Sequence, residues 1–340
     1  KEALDALFED LTERKMYITG GVGSTDIGEA FTHPYDLSND TAYTETCASI
    51  GFVLFASAML ELENKSVYAD VIEQIIYNGL LSGISLDGTR FFYENPLEIN
   101  LQDKFKNRYG TRRLPASARM KNLGCFCCPP NIVRFLSSVG NYIYGTDDDT
   151  LFVNQYIPSR LKDGKILCSL ETSYPNSNIV TLTASGVKKI ALRIPSWCKK
   201  FEINKKWTLS NGYAVIENDG DKIVLTLDMS PRLVYANSAV YRNVGRVAVM
   251  RGPVVYCAEA CDNVQNLHTL RLTENPVFKE TYNEKFGLVT LSCDGECIEC
   301  NDKLYNDAPP ETRETKIELI PYNCFANRGE SNMAVWLHKK

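Results

Sequence analysis

Apolar positions change their period twice along this chain. Leu4, Leu7, Phe8 and Leu11 recur at helical spacing, which predicts an amphipathic helix over residues 2–15. From Tyr17 to about Thr44 several glycines occur and no period is sustained. Such a connection, about 28 residues long, is the kind of long loop that tends to be functional inside a compact domain. Helical spacing returns over 46–63 and 66–83, the second run ending at Gly83, and residues 90–93 form a short strand-like run before Asn95-Pro96. Residues 100–121 are basic and irregular. Pro129 and Pro130 suit the first turn of a further helix, where a missing N–H costs nothing. Ile132, Phe135, Leu136, Val139 and Ile143 mark its buried face, and Gly145 is placed to end it.

After Asp149 the period becomes that of strands. Short β-rich runs fall at 151–157, 166–171, 178–184, 188–194, 213–217, 222–228, 246–249 and 253–257. Turn pairs such as Asp163-Gly164, Asn211-Gly212 and Asp219-Gly220 separate them, the pattern of a β-sandwich. Helices followed by strands argue for separate domains with a boundary near 150. The expected division is a helical domain over 1–149, a β-sandwich over 150–262 and a β-rich segment over 263–340 completing the sandwich region. Four helices are too few to close a helical barrel, so the helical part is expected to be a fragment or to be completed by another chain.

Composition narrows the function. Apolar residues are 44% and charged residues 23% of the chain, ordinary for a globular protein, and no run approaches the roughly 18 apolar residues of a membrane helix. A net charge of -5 with no basic stripe offers nothing to nucleic acid and suits a neutral or cationic small molecule or a carbohydrate. The chain opens on Lys-Glu-Ala, so its native start is expected to lie upstream and targeting is not legible.

Twelve cysteines are unevenly spread. Cys168, Cys198, Cys257 and Cys324 sit in apolar runs, where a thiol behaves as a small core hydrophobe. Cys125, Cys127 and Cys128 fall within four residues, and in a chain of this length such a cluster points to metal binding or catalysis, not to disulfides. Glu45 with Cys47, and Cys127 with Cys128, could supply the four donors that zinc prefers. Cys127 also precedes a helix start, where the helix dipole favours a thiolate. On spacing alone a purely structural zinc knot is as good a reading as a catalytic centre. Glu29, alone in a loop, reads as a solvated charge.

The strings YITGGVGS (17–24), GEAF (28–31), NDTAYTETCASIG (39–51), FFYENPLE (91–98) and CFCCPPNIVRFLSSVGNYIYG (125–145) resemble glycoside hydrolase family 127, whose characterised members are β-L-arabinofuranosidases. The likeness continues through LRIPSWC (192–198), RGPVVYCAE (251–259) and IPYNCFANRGESNMAVWL (320–337). It implies part of an (α/α)6 barrel followed by β-sandwich domains, with the first half of the barrel lacking. It also implies zinc held by Glu45, Cys47, Cys127 and Cys128, with Cys127 as nucleophile, Glu29 as acid/base and Tyr93 lining the sugar site. A retaining hydrolase acting on an arabinose-containing oligosaccharide follows, with a homodimer or a chain supplying the missing half-barrel as possible partners. His33, in the loop of Glu29, is a further candidate for the sugar site. The rival reading is a non-catalytic, zinc-stabilised carbohydrate-binding or interaction protein. Cys293, Cys297 and Cys300 read as neutral surface thiols rather than a second metal site, and Trp197, Trp207 and Trp336 as packing residues.

Overall fold

A computed structural model describes residues 1–103, 115–299 and 302–340; Cys300 and much of the basic stretch lie outside these. Four α-helices come first: α1 (Glu2–Arg14), α2 (Thr46–Leu62), α3 (Ser66–Gln74) and α4 (Cys128–Ser137). They share a core built from Phe8, Ile50, Val53, Ile72, Ile132 and Phe135, among others. Among the described residues no helix is long and apolar enough to cross a membrane.

Two helices end earlier than their periodicity suggests. Regular α-turns stop at Gln74, and Ile75–Leu80 continue as a π-helical turn followed by the 3-10 turn Leu81–Gly83. The side chain of Asn78 explains the break: it donates to Gln74 O at 2.8 Å and to Pro253 O at 2.9 Å, and accepts from Val255 N at 2.8 Å. A local turn is thereby traded for a hydrogen-bonded tie to the C-terminal sheet. The α4 helix stops at Ser137, where Ser138 Oγ bonds back to Arg134 O and Phe135 O, and Gly145 falls in strand Tyr144–Asp147. Residues 90–93 form isolated bridges through Phe91, to Ile84 and Met120, not a strand.

The β region contains three sheets. One orders strands Tyr144–Asp147, Thr150–Val153, Lys189–Arg193, Tyr213–Glu217 and Thr208–Ser210; another orders Ser159–Asp163, Ile166–Thr172, Ile179–Ser185, Ile223–Leu227 and Phe201–Ile203. Alternate residues of both, such as Leu151, Val153, Leu170, Leu182, Ile190 and Leu225, meet in one core. From Arg232 onward the strands join a ten-stranded sheet, which also recruits Glu98–Ile99 from the helical part through Met333–Ala334. The expected division at 262 falls inside that sheet, because Val254–Glu259 pairs with both Thr312–Pro321 and Met333–Ala334. Its longest hairpin pairs Leu291 with Leu319 through to Ile298 with Thr312. Cys293 and Cys297 lie on that hairpin and are buried, so they are core thiols, not surface ones.

Two buried arginines hold the helical part to the β-domains. Arg193, with no exposed surface, pairs with Asp70 at 2.6 Å and with Glu73, both on α3, and donates to Asn154 O at 2.6 Å. Glu73 also accepts from Tyr174 at 2.6 Å and from Trp197 Nε1 at 3.0 Å, which gives Trp197 its inter-domain role. Trp336 is buried, whereas Trp207 lies exposed beside Phe201. Arg119 lies over the rings of Phe92 and Phe325 and donates to the carbonyls of Ser82, Asn323 and Phe325.

Arg193→Ala would leave two carboxylates buried without their counter-charge. Such an uncompensated buried charge costs about 3–5 kcal/mol. A lower urea midpoint for loss of helical circular dichroism is the expected outcome, while Lys188→Ala, an exposed pair with Asp149, should leave the midpoint nearly unchanged.

Candidate active site and metal centre

Two helix starts bring the donors together. Glu45 is the N-cap of α2, and its carboxylate makes no capping hydrogen bond, so it is free to face elsewhere. Cys47 lies in the first turn of the same helix. Cys127 is the N-cap of α4 and Cys128 its first residue, with prolines filling the rest of the first turn. Both N-termini therefore present their positive dipole ends to one spot.

The start of α2 is fixed by a buried network around Asn95. Its Nδ2 donates to Thr44 O and Thr46 Oγ1, each at 3.0 Å, and its Oδ1 accepts from Ser82 at 2.8 Å. Thr44 Oγ1 returns a bond to Asn95 O at 2.6 Å, and Thr46 N donates to Tyr93 O at 2.9 Å. Gly83 is required here: a Cβ would meet both side-chain branches of Thr46 at 2.7 Å. Thr44 itself sits at φ +36°, an uncommon conformation for a β-branched residue, held by its bond from Thr44 N to Gly23 O at 2.9 Å.

The donor atoms of Glu45, Cys47, Cys127 and Cys128 all lie within 4.8 Å of one another. The Sγ of Cys128 is 3.6 Å from those of Cys47 and Cys127, and Glu45 Oε1 is 3.3 Å from Cys127 Sγ and 3.6 Å from Cys128 Sγ. In a tetrahedral zinc site the edges would be about 3.8 Å between sulfurs and about 3.6 Å between sulfur and oxygen, from the usual bond lengths. The set therefore fits a thiolate-preferring divalent metal. Every described cysteine is free, and the exposed Cys125 stands outside the donor set.

Burial pushes the Cys127 thiol up to about 12, with the neighbouring Glu45 carboxylate adding to the rise, and burial pushes Cys128 up further. This opposes the lowering expected from the helix dipole alone. Burial thus disfavours the thiolates of Cys127 and Cys128, and a bound cation would favour them.

Glu29 reaches the same neighbourhood from the long loop. Bonds between Thr25 and Ala30 close a tight turn, and Glu29 is its last residue with φ +50°, a strained conformation for a residue with a Cβ. Its Oε1 accepts from Tyr93 at 2.9 Å and from Tyr43 at 2.8 Å. The Tyr93 hydroxyl is also within hydrogen-bonding reach of the Cys127 thiol, so it lies between the carboxylate and the sulfur. Burial raises both phenols above their ordinary value and keeps them as donors. Glu29 is thus more than the solvated charge that a lone loop glutamate suggests.

Four residues named from the sequence form one cluster, and Glu29 and Tyr93 join it through a hydrogen bond. His33 differs: its side chain is 76% exposed, and its ring nitrogens face Pro34 O at 3.1 Å and Asp36 at 3.9 Å. Tyr43, Asn95 and Arg119, which bond Glu29, the start of α2 and the carbonyl of Ser82, were passed over by sequence reasoning. Tyr43 stands two residues before Glu45 in the Tyr-Thr-Glu-Thr-Cys string, which was the available signal.

Three descriptions of a single family account for nearly the whole chain. Residues 1–141 match the β-L-arabinofuranosidase GH127 catalytic domain, 150–229 its middle domain and 231–338 the glycoside hydrolase family 127 C-terminal domain. The non-reducing end β-L-arabinofuranosidase of Bifidobacterium longum subsp. longum is 37% identical over 358 residues, covering 97% of this chain and 54% of that protein. A solved GH127 β-L-arabinofuranosidase from Geobacillus stearothermophilus T6 superposes with a TM-score of 0.91 at 38% identity, over 99% of this chain and 56% of that one. A solved GH127 β-arabinofuranosidase superposes with a TM-score of 0.87 at 34% identity, over 100% of this chain and 56% of the other. A helical site domain braced by β-rich domains matches the catalytic, middle and C-terminal domains of that family in order. The chain belongs to glycoside hydrolase family 127. It spans a little over half the length of these relatives.

The donor set leads to a metal prediction. Purified without chelator, the protein should carry about one divalent metal per chain by elemental analysis, since among the described residues one group offers four donors. Cys128→Ser should lower that occupancy several-fold, and Cys168→Ser, a core cysteine of the middle sandwich, should not.

Proposed function

We propose that this protein is a retaining β-L-arabinofuranosidase in which zinc is the bound metal, Cys127 the nucleophile and Glu29 the acid/base. One observation carries the reading most directly: the Tyr93 hydroxyl is shared between Glu29 and Cys127, so a proton donor and a sulfur nucleophile flank one small space. Zinc, held by Glu45, Cys47, Cys127 and Cys128, would supply the positive charge that keeps the sulfurs deprotonated at neutral pH.

The reaction is a double displacement. Cys127 sulfur forms a bond to the anomeric carbon as the bond to the leaving oxygen breaks, and Glu29 gives its proton to that oxygen. The arabinose is then a thioglycoside of Cys127 and Glu29 is a carboxylate. Glu29 next takes a proton from water, whose oxygen bonds to the anomeric carbon while the carbon–sulfur bond breaks. Two inversions leave the configuration unchanged, as in retaining enzymes that use a carboxylate nucleophile. Arabinose-containing glycans are the proposed substrates.

The exposed side of the helical part bears on how the pocket is completed. The α2 helix is apolar all round, yet Gly51, Leu54, Ala58 and Leu62 face outward along one side. Leu4 and Leu7 of α1 and Val133 and Leu136 of α4 are exposed as well. A helix that is hydrophobic all round is normally covered on both sides. Further helices, from the same polypeptide or a partner chain, are proposed to cover this face and to complete the sugar pocket. That exposed face also favours a second reading, in which this polypeptide alone is a zinc-stabilised carbohydrate-binding or interaction protein.

Hydrolysis of p-nitrophenyl β-L-arabinofuranoside separates the two readings. The enzyme reading expects turnover with retained configuration by NMR, and its loss on Cys127→Ser. Glu29→Gln should lower kcat/KM by about 10²–10⁴-fold on a glycoside whose leaving group needs a proton. A metal-loaded chain that cleaves nothing favours the binding protein, and a Cys127→Ser variant that still turns over refutes the nucleophile.

A further inference from the structure

The carboxyl of Glu29 is held in an unusual way for an exposed side chain. Both of its phenol partners end on the same oxygen, Tyr43 at 2.8 Å and Tyr93 at 2.9 Å from Oε1. A carboxylate only accepts, so at these distances each phenol is the donor. A carboxyl oxygen has two lone pairs, and two such bonds occupy both. Oε2 carries neither of these bonds and is the oxygen left open to another partner.

We propose that Tyr43 is a positioning residue for Glu29, which together with Tyr93 pins Oε1 and so dedicates Oε2 to proton transfer. This rests on the reading of Glu29 as the acid/base. The terminal torsion of a glutamate is broad and roughly two-fold, so an unrestrained carboxyl presents either oxygen at many angles. A backbone at φ +50° at the end of a short turn does not restrict that torsion. Two donors on one oxygen do, and they leave the other oxygen in one direction.

Tyr43 is built to be the fixed point of this arrangement. Only 4% of it is exposed, and its ring lies at a 60° tilt to that of Tyr93, with centroids 6.0 Å apart. The next residue, Thr44, is tied to Gly23 and to Asn95, the same buried network that sets the start of α2. One rigid segment thus aims both the Glu45 donor and the carboxyl of Glu29. Tyr93 also reaches the Cys127 thiol, so its removal disturbs sulfur and carboxyl together, whereas Tyr43 bonds the carboxyl and the Tyr93 hydroxyl.

Tyr43→Phe keeps the ring and removes the donor, and the leaving group reads the result. A p-nitrophenolate departs without a proton, whereas methanol requires one. A positioning role predicts that kcat/KM on methyl β-L-arabinofuranoside falls about tenfold or more, part of the 10²–10⁴-fold worth of a general acid, while that on the p-nitrophenyl glycoside stays within about threefold. Equal losses on both substrates would mark Tyr43 as merely structural and overturn the proposal, as would no loss on either.

A measurement independent of turnover covers a chain that proves inactive. With tyrosine labelled with carbon-13 at Cζ, Glu29→Ala should shift two signals, those that Tyr43→Phe and Tyr93→Phe remove. A response from the Tyr93 signal alone refutes the paired donors. Both signals responding, in a protein that cleaves neither glycoside, supports the pinned carboxyl and counts against the acid/base reading instead.

Discussion

The site depends on two helix N-termini meeting head to head. Neither helix carries enough donors for a metal: α2 brings a carboxylate and one thiol, and α4 brings two adjacent thiols. Their meeting makes a four-donor set with S···S and S···O separations close to a tetrahedral edge. It also puts the positive ends of two dipoles where negative charge must collect. Burial works in the opposite direction and raises the thiols, so dipoles alone do not ionise them. The cluster is organised for a cation in a way that neither helix is by itself.

What keeps the two helix starts in register is polar and buried. Asn95 spends its side-chain amide on Thr44, Thr46 and Ser82, and its backbone carbonyl accepts from Thr44 and Tyr322. Through Tyr322 the network continues into the C-terminal sheet, and Arg119 adds a second tie to the same 322–325 corner. The β-domains are therefore not appendages to the site. They hold the loop that carries Glu94, Asn95 and Pro96, and hence the first turn of α2. Arg193 does the equivalent for α3 from the middle sandwich. Buried polar networks of this kind are costly when broken and specify one arrangement when complete.

The long loop adds the carboxyl of Glu29. Its strain at Glu29 and Thr44 is maintained by bonds to Gly23, Ala30 and Asn95, so the loop is held at both ends of the segment that matters. Local strain of this sort persists where the surroundings over-determine it. Among the described residues the outward apolar side of α1, α2 and α4 is exposed, and the chain spans about half the length of its relatives.

Much of this was legible in one dimension, for physical reasons. Side-chain period separates helix from strand, so the order of helices then strands could be read from apolar spacing. Cysteine density and the Cys-Cys-Pro-Pro string announced a metal-type cluster at a helix start, because few other uses need adjacent thiols there. Tertiary structure alone decided the rest. Period says nothing of where a helix breaks when a side chain such as Asn78 finds partners 175 and 177 residues away. Burial of Cys293 and Cys297 depended on which face of a long hairpin packed inward. The junction of Tyr43, Tyr93 and Glu29 joins residues 14 and 64 positions apart through hydroxyl bonds, and no spacing rule relates them. Sequence thus determined which polar groups were available, and folding determined which of them meet, because hydrogen bonds between distant residues follow no local period.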